Sequence, residues 1–454
     1  MKHASISPSA ASKSPTQTLL RFSTAGSVDD GKSTLIGRLL FDAKSIFEDQ
    51  IVNLIKTTAK RGGVGGNVAS DLAVDLALLT DGLMAEREQG ITIDVAYRYF
   101  ATPTRKFIIA DTPGHEQYTR NMVTGASTAD LTIVLVDASK GVLPQSRRHA
   151  LVASLLGIRH VVVAINKMDL VDWSEARFNQ IRDEFEQVTA RLNLSNLHFI
   201  PMSALKGDMV VERGENLGWY RDQTLLELLE SVDVSAPGGV PFRFPVQLVN
   251  RPGIDGAYPH NCARGYMGRI ESGQVRVGDK VLIQPSGRTT TVRDIVTYDG
   301  VLKVADAPQS VTLLLTHDID ISRGDLITHE HTPARVAKSF DAMLCWMDSD
   351  PLEVTPGARS RKYVIKHTTR TTKAVIESID HKLDITTLEP VQGVQSLEMN
   401  DIGEVRLKVR DPLLVDAYAD NRITGGFIVI DEVTNHTVAA GMILAEKPGG
   451  DAGG

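Results

Sequence analysis

A glycine-rich segment near the start of the chain has the residue types that hold phosphate. Residues 26–33 read Gly-Ser-Val-Asp-Asp-Gly-Lys-Ser and fit the P-loop pattern G-x-x-x-x-G-K-[ST]. The glycines let backbone N–H groups approach phosphates, Lys32 would neutralise the β- and γ-phosphates, and the Ser33 hydroxyl would ligate Mg²⁺. The residues predicted here to bind a nucleotide are Gly26, Ser27, Val28, Asp29, Asp30, Gly31, Lys32, Ser33 and Thr34.

A second segment has the residues expected of a γ-phosphate sensor. The apolar run 106–110 predicts a buried parallel strand, and Asp111 follows it at the edge where such sheets bind ligands. Asp111 would hold Mg²⁺ through water, and Gly114 would offer its N–H to the γ-phosphate. His115 would orient the attacking water; the alternative is a histidine in a surface turn. The nucleotide-binding residues predicted in this segment are Asp111, Thr112, Pro113, Gly114 and His115.

Residues 87–94, between these two segments, resemble a switch loop. Thr92 is the best candidate there for a second Mg²⁺-ligating hydroxyl, on a loop that becomes ordered only with a γ-phosphate. The predicted metal ligands are therefore Ser33, Thr92 and Asp111. The predicted catalytic residues are His115, Lys32 and Thr92.

Two later segments predict that the base is guanine. The apolar run 160–165 leads into Asn166, Lys167, Met168 and Asp169, and the run 198–202 leads into Ser203, Ala204 and Leu205. The Asp169 carboxylate can accept from guanine N1–H and its exocyclic amine, a pair of donors that adenine lacks. Asn166 would tie the loops together, the Lys167 stem would cover the ring, and the Ala204 N–H would suit guanine O6. The four segments together predict a GTP-binding switch.

The elements around these motifs predict a multidomain chain. Strand-like and helix-like runs alternate from about residue 20 to residue 234, which indicates a parallel α/β sheet in a P-loop GTPase domain. After a Pro/Gly linker, short alternating runs predict two antiparallel β-barrels, residues 241–332 and 337–446. Residues 1–19 and 447–454 are predicted to be tails, the first of them disordered, and the glycine-rich residues 61–66 are predicted to be mobile.

Composition limits the classes of function. The chain has 454 residues, a net charge of −7 and two cysteines far apart in sequence. The negative charge argues against a general nucleic-acid coat, and the cysteines suit a reducing compartment. No apolar run approaches the length of a membrane span, so a cytoplasmic protein is expected. The basic stretch 359–373 has two interpretations: a contact for RNA or an acidic partner, or a solvated β-hairpin face, which is favoured because charge runs are usually solvated.

These motifs, in this order, resemble the translational GTPase superfamily, in which a GTPase domain precedes two β-barrels. Within it the chain is most similar to the GTPase subunits of bacterial sulfate adenylyltransferase. Ser27 and Asp30 stand where elongation factor Tu-like proteins typically have histidines. Three further parts of the sequence look like that subunit family: the switch region in residues 76–79, 81–83 and 85–100, residues 244–247 with 250–252, and residues 320–326. The loop 255–263 looks longer than is usual in that family.

The resemblance implies a function that the motifs alone do not. Such subunits hydrolyse GTP to drive a separate ATP-sulfurylase subunit, which joins ATP and sulfate into adenosine 5′-phosphosulfate and pyrophosphate. The implied cofactors are GTP and Mg²⁺, and the implied assembly is a hetero-oligomer without membrane or nucleic acid. One P-loop with guanine readers leaves no second site for ATP, so adenylyl transfer is expected on the partner. The competing hypothesis is a translation-factor-like GTPase that carries aminoacyl-tRNA.

Overall fold

The structure is a computed structural model that describes residues 18–43, 92, 94–115, 118–192, 194, 196–234, 239–250, 264–354, 361–384 and 387–446. Most of the predicted N-terminal tail, the glycine-rich residues 61–66, the loop 255–263 and the predicted C-terminal tail lie outside the described residues. The chain divides into two compact units: residues 1–154 with 158–234, and residues 155–157 with 235–454.

The first unit contains a six-stranded sheet in the order β2-β3-β1-β4-β5-β6. Its strands are β1 (Thr18–Ala25), β2 (Ala96–Ala101), β3 (Arg105–Asp111), β4 (Leu131–Asp137), β5 (His160–Asn166) and β6 (Asn196–Pro201). The five strands β3, β1, β4, β5 and β6 are parallel, as predicted. The edge strand β2 was not predicted. It is antiparallel to β3 because its three-residue connection to β3 is too short for a parallel crossover.

Helices connect and cover these strands. They are α1 (Lys32–Asp42), α2 (Thr119–Ala126), α3 (Pro144–Leu155), α4 (Glu175–Thr189) and α5 (Leu225–Ser231). The side chain of Ser174 caps α4, and Thr224 forms a capping box with Glu227 at the start of α5. Every residue of β4 is buried, as expected for a central parallel strand covered on both faces. This sheet therefore places the ends of β1, β3, β4 and β5 at one edge.

The second unit begins with a closed antiparallel barrel. Six strands form a ring in the order β10-β15-β7-β8-β14-β11, which a β10–β11 pairing closes. Large side chains such as Phe242, Phe244 and Tyr266 fill its interior. The strands of this part are β7 (Arg243–Asn250), β8 (Gly265–Arg269), β9 (Gln274–Arg276), β10 (Lys280–Gln284), β11 (Arg288–Thr297), β12 (Gly300–Leu302), β13 (Val304–Asp306), β14 (Ser310–Leu315) and β15 (Leu326–His329).

A second six-stranded antiparallel barrel follows. Its ring runs β18-β23-β24-β16-β22-β19 and closes by the β18–β19 pairing, around a core that includes Trp346, Tyr363 and Phe340. The strands of this part are β16 (Arg335–Trp346), β17 (Leu352–Glu353), β18 (Lys362–His367), β19 (Arg370–Leu383), β20 (Pro390–Gln392), β21 (Ser396–Leu397), β22 (Ile402–Val415), β23 (Gly426–Asp431) and β24 (Thr437–Ile443). The predicted fold class, an α/β GTPase domain followed by two β-barrels, is confirmed.

An ion pair between the buried Arg243 and the partly buried Asp416 joins the two barrels. Arg243 in β7 donates from Nε and Nη2 to the two carboxylate oxygens of Asp416, both at 2.8 Å. Its Nη1 donates to the carbonyl of Thr332 at 2.7 Å, and the Thr424 hydroxyl donates to Asp416 at 2.5 Å. Burial would raise the pKa of Asp416, but the hydrogen bonds from Arg243 and Thr424 outweigh burial and lower it. The two barrels therefore share a satisfied polar network.

The basic stretch lies largely on the β18–β19 hairpin, and several of its cations face carboxylates. Arg361 contacts Asp431 at 2.8 Å, Lys373 pairs with Glu432, and Arg370 lies 3.9 Å from Asp325. Arg359 lies outside the described residues. These pairs offset much of the positive charge, which supports the interpretation of this stretch as a solvated hairpin face.

Candidate nucleotide-binding site

One cavity of about 440 Å³ collects residues from all four motif segments. Thr92, predicted from the switch-like sequence, also lines it. The predicted residues in its wall are Ser27, Val28, Asp29, Gly31, Lys32, Ser33, Thr34, Thr92, Gly114, His115, Asn166, Lys167, Asp169, Ser203, Ala204 and Leu205. Leu170 also lines the cavity and was not predicted. The four segments are spread over about 180 residues, so only the fold brings them together.

Six of the predicted residues do not line the cavity. They are Gly26, Asp30, Asp111, Thr112, Pro113 and Met168. Several are buried behind its wall and hold the loops: the Asp30 carboxylate accepts from the Ser27 N–H at 2.7 Å, and the Thr112 hydroxyl donates to the Thr24 carbonyl at 2.6 Å. The Thr24 hydroxyl contacts the Asp111 carboxylate at 3.3 Å. A buried Asp111 suits the expected contact with Mg²⁺ through water rather than directly.

Two glycines form a cradle that a side chain would fill. Gly31 has φ of +91°, and a Cβ there would lie 2.4 Å from the Asn166 side-chain nitrogen. A Cβ on Gly114 would lie 1.9 Å from the carbonyl oxygen of Gly26. Both positions therefore require glycine for space, and Gly31 also requires it for its left-handed backbone conformation. The close approach of residues 26 and 114 brings the P-loop against the predicted γ-phosphate sensor.

Asn166 ties the loops together, as its position at the end of β5 predicts. Its Nδ2 donates to the Asp30 carbonyl at 2.7 Å, and its Oδ1 accepts from the Ala204 N–H at 2.9 Å. One side chain thus links the P-loop to both base-reading segments. The second bond differs from the expectation for Ala204, because the N–H expected to meet guanine O6 already has a partner within the protein.

Lys167 is anchored by an acidic residue that the sequence analysis did not single out. Its Nζ lies 2.8 Å from the carboxylate of Asp137, the last residue of β4. Burial would raise the pKa of Asp137, but hydrogen bonds from Lys167 and Ser139 outweigh it and lower the pKa. The pair fixes the lysine stem in the cavity wall. The available signal was the rule that already located Asp111, a carboxylate directly after a buried parallel strand.

Arg38 in α1 was also missed, and nothing in its local sequence indicates its role. Its Nε donates to the Ala204 carbonyl at 3.3 Å, and its Nη2 donates to the Leu205 carbonyl at 2.7 Å. The helix that starts at the P-loop therefore also holds the last base-reading segment. This contact joins residues more than 160 positions apart.

Comparison with known proteins agrees with this geometry. Residues 17–237 match the family described as the elongation factor Tu GTP binding domain, and residues 339–444 match the GTP-eEF1A C-terminal domain-like family. Sulfate adenylyltransferase subunit 1 of Saccharophagus degradans is 51% identical over 427 residues, which cover 94% of this chain and 87% of that one. The chain belongs to the family of sulfate adenylyltransferase subunit 1.

Other relatives are also about half identical to this chain over most of its length. Sulfate adenylyltransferase subunit 1 of Vibrio parahaemolyticus is 52% identical over 94% of this chain and 86% of its own. The bifunctional enzyme CysN/CysC of Mycobacterium tuberculosis is 53% identical over 94% of this chain and 68% of its own. Among solved structures, sup35 complexed with GMPPNP aligns with a TM-score of 0.42 and 24% identity, over 94% of each chain. The identities to the subunit-1 relatives confirm the resemblance to that family, and a carrier of aminoacyl-tRNA is not favoured.

The cavity of this subunit-1 chain fits a magnesium nucleotide chemically. Ser33 and Thr92 in its wall offer hydroxyl oxygens, the hard oxygen ligands that Mg²⁺ takes. The Asp111 carboxylate lies behind the wall, where it suits a contact with Mg²⁺ through water. The buried hydroxyl of Ser27 has no hydrogen-bond partner among the described residues, so it is available to a phosphate oxygen. In the described part of the chain, no helix has the length and apolarity needed to cross a membrane.

Proposed function

We propose that this chain binds GTP with Mg²⁺, hydrolyses it, and uses hydrolysis to drive a separate catalytic subunit. That subunit would make adenosine 5′-phosphosulfate and pyrophosphate from ATP and sulfate. The observation that carries the proposal is the single cavity lined by the P-loop, Thr92, Gly114 and both base-reading segments. The assignment of adenylyl transfer to a partner agrees with the relatives' description as subunit 1 of sulfate adenylyltransferase.

The proposed roles divide between binding and hydrolysis. Lys32, which is only 8% exposed, would neutralise the β- and γ-phosphates, and the first turn of α1 would direct its free N–H groups at them. Asp169 would select guanine through two donors on its Watson–Crick edge. When bound by Ser33, Thr92 and Asp111, Mg²⁺ would supply charge neutralisation at the β- and γ-phosphates.

Hydrolysis needs a water placed in line with the γ-phosphate. Gly114 and His115 lie side by side in the cavity wall, so the Gly114 N–H and the His115 ring would act on the same phosphate. His115 would hold the attacking water as a hydrogen-bond partner, which affects the transition state more than nucleotide binding. Thr92 would report the presence of the γ-phosphate to the partner, because it belongs to the segment expected to order around that phosphate.

A change of base preference tests the proposal at this cavity. In Asp169→Asn the amide would donate to the xanthine 2-carbonyl and accept from N1–H, so preference should shift from GTP to XTP by on the order of 100-fold. With the catalytic subunit, ATP and sulfate present, XTP should then stimulate adenosine 5′-phosphosulfate formation. GTP should stimulate the parent protein. The measurements are product formation and release of inorganic phosphate from GTP or XTP.

Asp172→Asn is the matched control. Asp172 is an exposed aspartate three residues later that does not line the cavity, so its variant should keep the GTP preference. Stimulation of Asp169→Asn by GTP as strong as in the parent would refute the base-reading role. Synthesis of adenosine 5′-phosphosulfate by the purified chain alone would refute the division of labour between subunits.

A further inference from the structure

The last base-reading segment has its carbonyl groups held from one side. Arg38 in α1 donates from Nε to the Ala204 carbonyl at 3.3 Å and from Nη2 to the Leu205 carbonyl at 2.7 Å. Gly207, in the turn that follows, lies against the same side chain, because an added Cβ there would be 3.8 Å from Arg38 Cδ and Nε. The Asp42 carboxylate, one turn further along α1, lies 3.6 Å from Nη1. All three guanidinium nitrogens therefore have a partner, which fixes the plane of the group.

The position of the guanidinium determines which way these two carbonyls point. Ala204 and Leu205 line the cavity, whereas Arg38 does not. Two carbonyls that accept from a group outside the cavity wall are turned away from the space inside it. The start of the segment is fixed as well, because the Ala204 N–H donates to Asn166 Oδ1 at 2.9 Å.

A bond to a carbonyl also directs the N–H of the same peptide group. In a trans peptide the C=O and the N–H point in opposite directions, and the cis peptide bonds of the described residues lie elsewhere, at 284–285 and 307–308. The Ala204 carbonyl shares its peptide group with the Leu205 N–H. With that carbonyl on Arg38, the N–H points away from Arg38, toward the cavity. The segment therefore presents a donor to a base and keeps two acceptors away from it.

The 6-position of the purine is where this polarity matters. Guanine has a carbonyl acceptor there, and adenine has an amino donor. A segment that presents an N–H suits the carbonyl, and one that presents a carbonyl oxygen would suit the amino group. Rotation of a single planar peptide group would exchange the two. The hydrogen bonds from Arg38 oppose that rotation.

We propose that Arg38 is a positioning residue for base selection: its guanidinium holds the carbonyls of Ala204 and Leu205 away from the base, so that the cavity takes a 6-carbonyl and rejects a 6-amino group. The inference rests on the proposed GTP binding. Asp169 is assigned a different part of the base, N1–H and the 2-amine. Guanine selection is thereby divided between a side chain that reads the base directly and one that acts through the backbone.

Three nucleotides separate these two parts of the base. IDP lacks the 2-amine of GDP, whereas 6-thio-GDP keeps N1–H and the 2-amine but has sulfur, a weak acceptor, in place of the 6-oxygen. In the full-length parent chain, 6-thio-GDP should bind about 5- to 10-fold more weakly than GDP, the equivalent of one neutral hydrogen bond. IDP should bind about 10- to 100-fold more weakly, because its missing bond is to a charged group. Isothermal titration measures the three affinities.

Arg38→Met keeps the stem of the side chain and removes its donors. The 6-thio-GDP penalty relative to GDP should fall below about twofold, because the segment no longer holds a donor at the 6-position. The IDP penalty should stay within about twofold of the parent value, since Asp169 is unchanged. A cavity that was merely distorted would weaken all three nucleotides together and leave both ratios at their parent values. That result would overturn the inference.

Two further replacements keep the test decisive if Arg38→Met does not fold. Arg38→Gln has a side chain too short to reach both carbonyls, so it should show the same loss of the 6-thio-GDP penalty, and a full penalty would overturn the inference. Arg38→Lys keeps the cation without the planar fork, so its penalty should lie between those of the parent and Arg38→Gln. A penalty in Arg38→Lys below that of Arg38→Gln would also count against the inference.

Arg213 provides the matched control. It too donates to backbone carbonyls, those of Tyr220, Arg221 and Asp222, but none of these four residues lines the cavity. Arg213→Met should keep all three affinities at their parent values, and an equal loss of the 6-thio-GDP penalty there would overturn the inference.

The outcomes distinguish the role of Arg38 from the proposed function. A parent chain that binds GDP no better than ADP contradicts the proposed function. A parent that selects GDP but shows no 6-thio-GDP penalty, or one whose penalty does not depend on Arg38, contradicts only the role of Arg38.

Discussion

The nucleotide cavity and the contact between the two barrels both bury polar side chains, but their hydrogen bonds are completed differently. Between the barrels, Arg243 and Asp416 form two hydrogen bonds with each other and further ones with Thr332 and Thr424. At the P-loop, the Ser27 hydroxyl and one carboxylate oxygen of Asp30 are buried without a partner among the described residues. The first network is complete within the protein, whereas the second leaves the Ser27 hydroxyl, which lines the cavity, for a ligand.

The difference distinguishes a structural polar network from a binding site. Burial raises the pKa of Asp30 despite the hydrogen bond from Ser27, whereas the paired Asp416 has a lowered pKa. A satisfied carboxylate is stable as an anion in the interior, and an incompletely satisfied one is not. Burial alone therefore does not identify function. The number of completed hydrogen bonds around the buried group is more informative.

The largest effect should come from breaking the complete network. Arg243→Ala would leave the partly buried Asp416 carboxylate without its cation, which should cost about 3 kcal/mol, the lower end of the range for a buried pair. We expect a loss of that size in the unfolding free energy of the second unit. The measurement is denaturant unfolding followed by fluorescence of Trp346, in a Trp173→Phe/Trp219→Phe background that removes the two tryptophans of the first unit.

An exposed ion pair of the same unit gives the control for Arg243. Arg406 contacts Asp341 at 2.9 Å, but its side chain is 45% exposed, compared with 3% for Arg243. Arg406→Ala should cost less than about 1 kcal/mol. Similar losses of unfolding free energy in the two variants would show that the Arg243–Asp416 pair stabilises the protein no more than an exposed ion pair does.

The next largest effect should come from filling the glycine cradle of the cavity. In Gly31→Ala the methyl group would collide with Asn166 and disturb its bond to Asp30, and the left-handed backbone would be strained. These two costs, each about 1–2 kcal/mol, predict a loss of nucleotide affinity of about 100-fold. Isothermal titration with GDP measures it.

Gly278 separates the two costs. Its φ of +95° matches that of Gly31, but an added Cβ would have nothing within 4 Å. Gly278→Ala should therefore show only the backbone strain, as a loss of stability of about 1–2 kcal/mol, with unchanged GDP affinity. A Gly31→Ala variant that binds GDP as well as Gly278→Ala does would contradict the cradle.

The smallest effect should appear as a dependence of stability on pH. Because burial lowers the pKa of His149 in α3 to about 3 when folded, from near 6.5 when unfolded, the unfolded chain binds more protons below pH 6.5. The unfolding free energy therefore has its full value above pH 6.5 and decreases as the pH falls toward 3. Between pH 7.5 and 5.0 this loss should be about 2 kcal/mol. Unfolding at several pH values should show a shallower decline in His149→Gln than in the parent.

The second barrel also contains a buried histidine, His367 at the end of β18, which sharpens this comparison. Burial lowers the pKa of His367, whose Nε2 lies 2.7 Å from the Thr424 carbonyl. His367→Gln should make the pH dependence of the second unit shallower without changing GTP hydrolysis per folded molecule. His149→Gln should instead make the pH dependence of the first unit shallower. An equal change in the pH dependence of the same unit from both variants would remove the distinction between the two regions.

Much of the fold followed from the sequence, and the exceptions have physical causes. The runs that became β3, β4 and β5 are apolar over most of their length and end in chemically distinctive residues, so their burial and direction were predictable. The strand β2 alternates exposed and partly buried residues at a sheet edge. Its direction depends on a short turn into β3, which hydrophobicity does not encode. The predicted domain boundaries remain predictions.

Residue types and spacing determined which chemistry this protein has: a phosphate loop, a γ-phosphate sensor and guanine readers. Those functions depend on a few atoms in short local segments, so they are visible in the sequence itself. Only the tertiary structure decided what supports those atoms. Arg38 contacts a partner 167 positions away in the chain, and Asp137 contacts one 30 positions away. No local pattern selects one arginine or one aspartate from the others. Their roles exist only once the fold has buried them and brought a particular backbone carbonyl or charged side chain within hydrogen-bond distance.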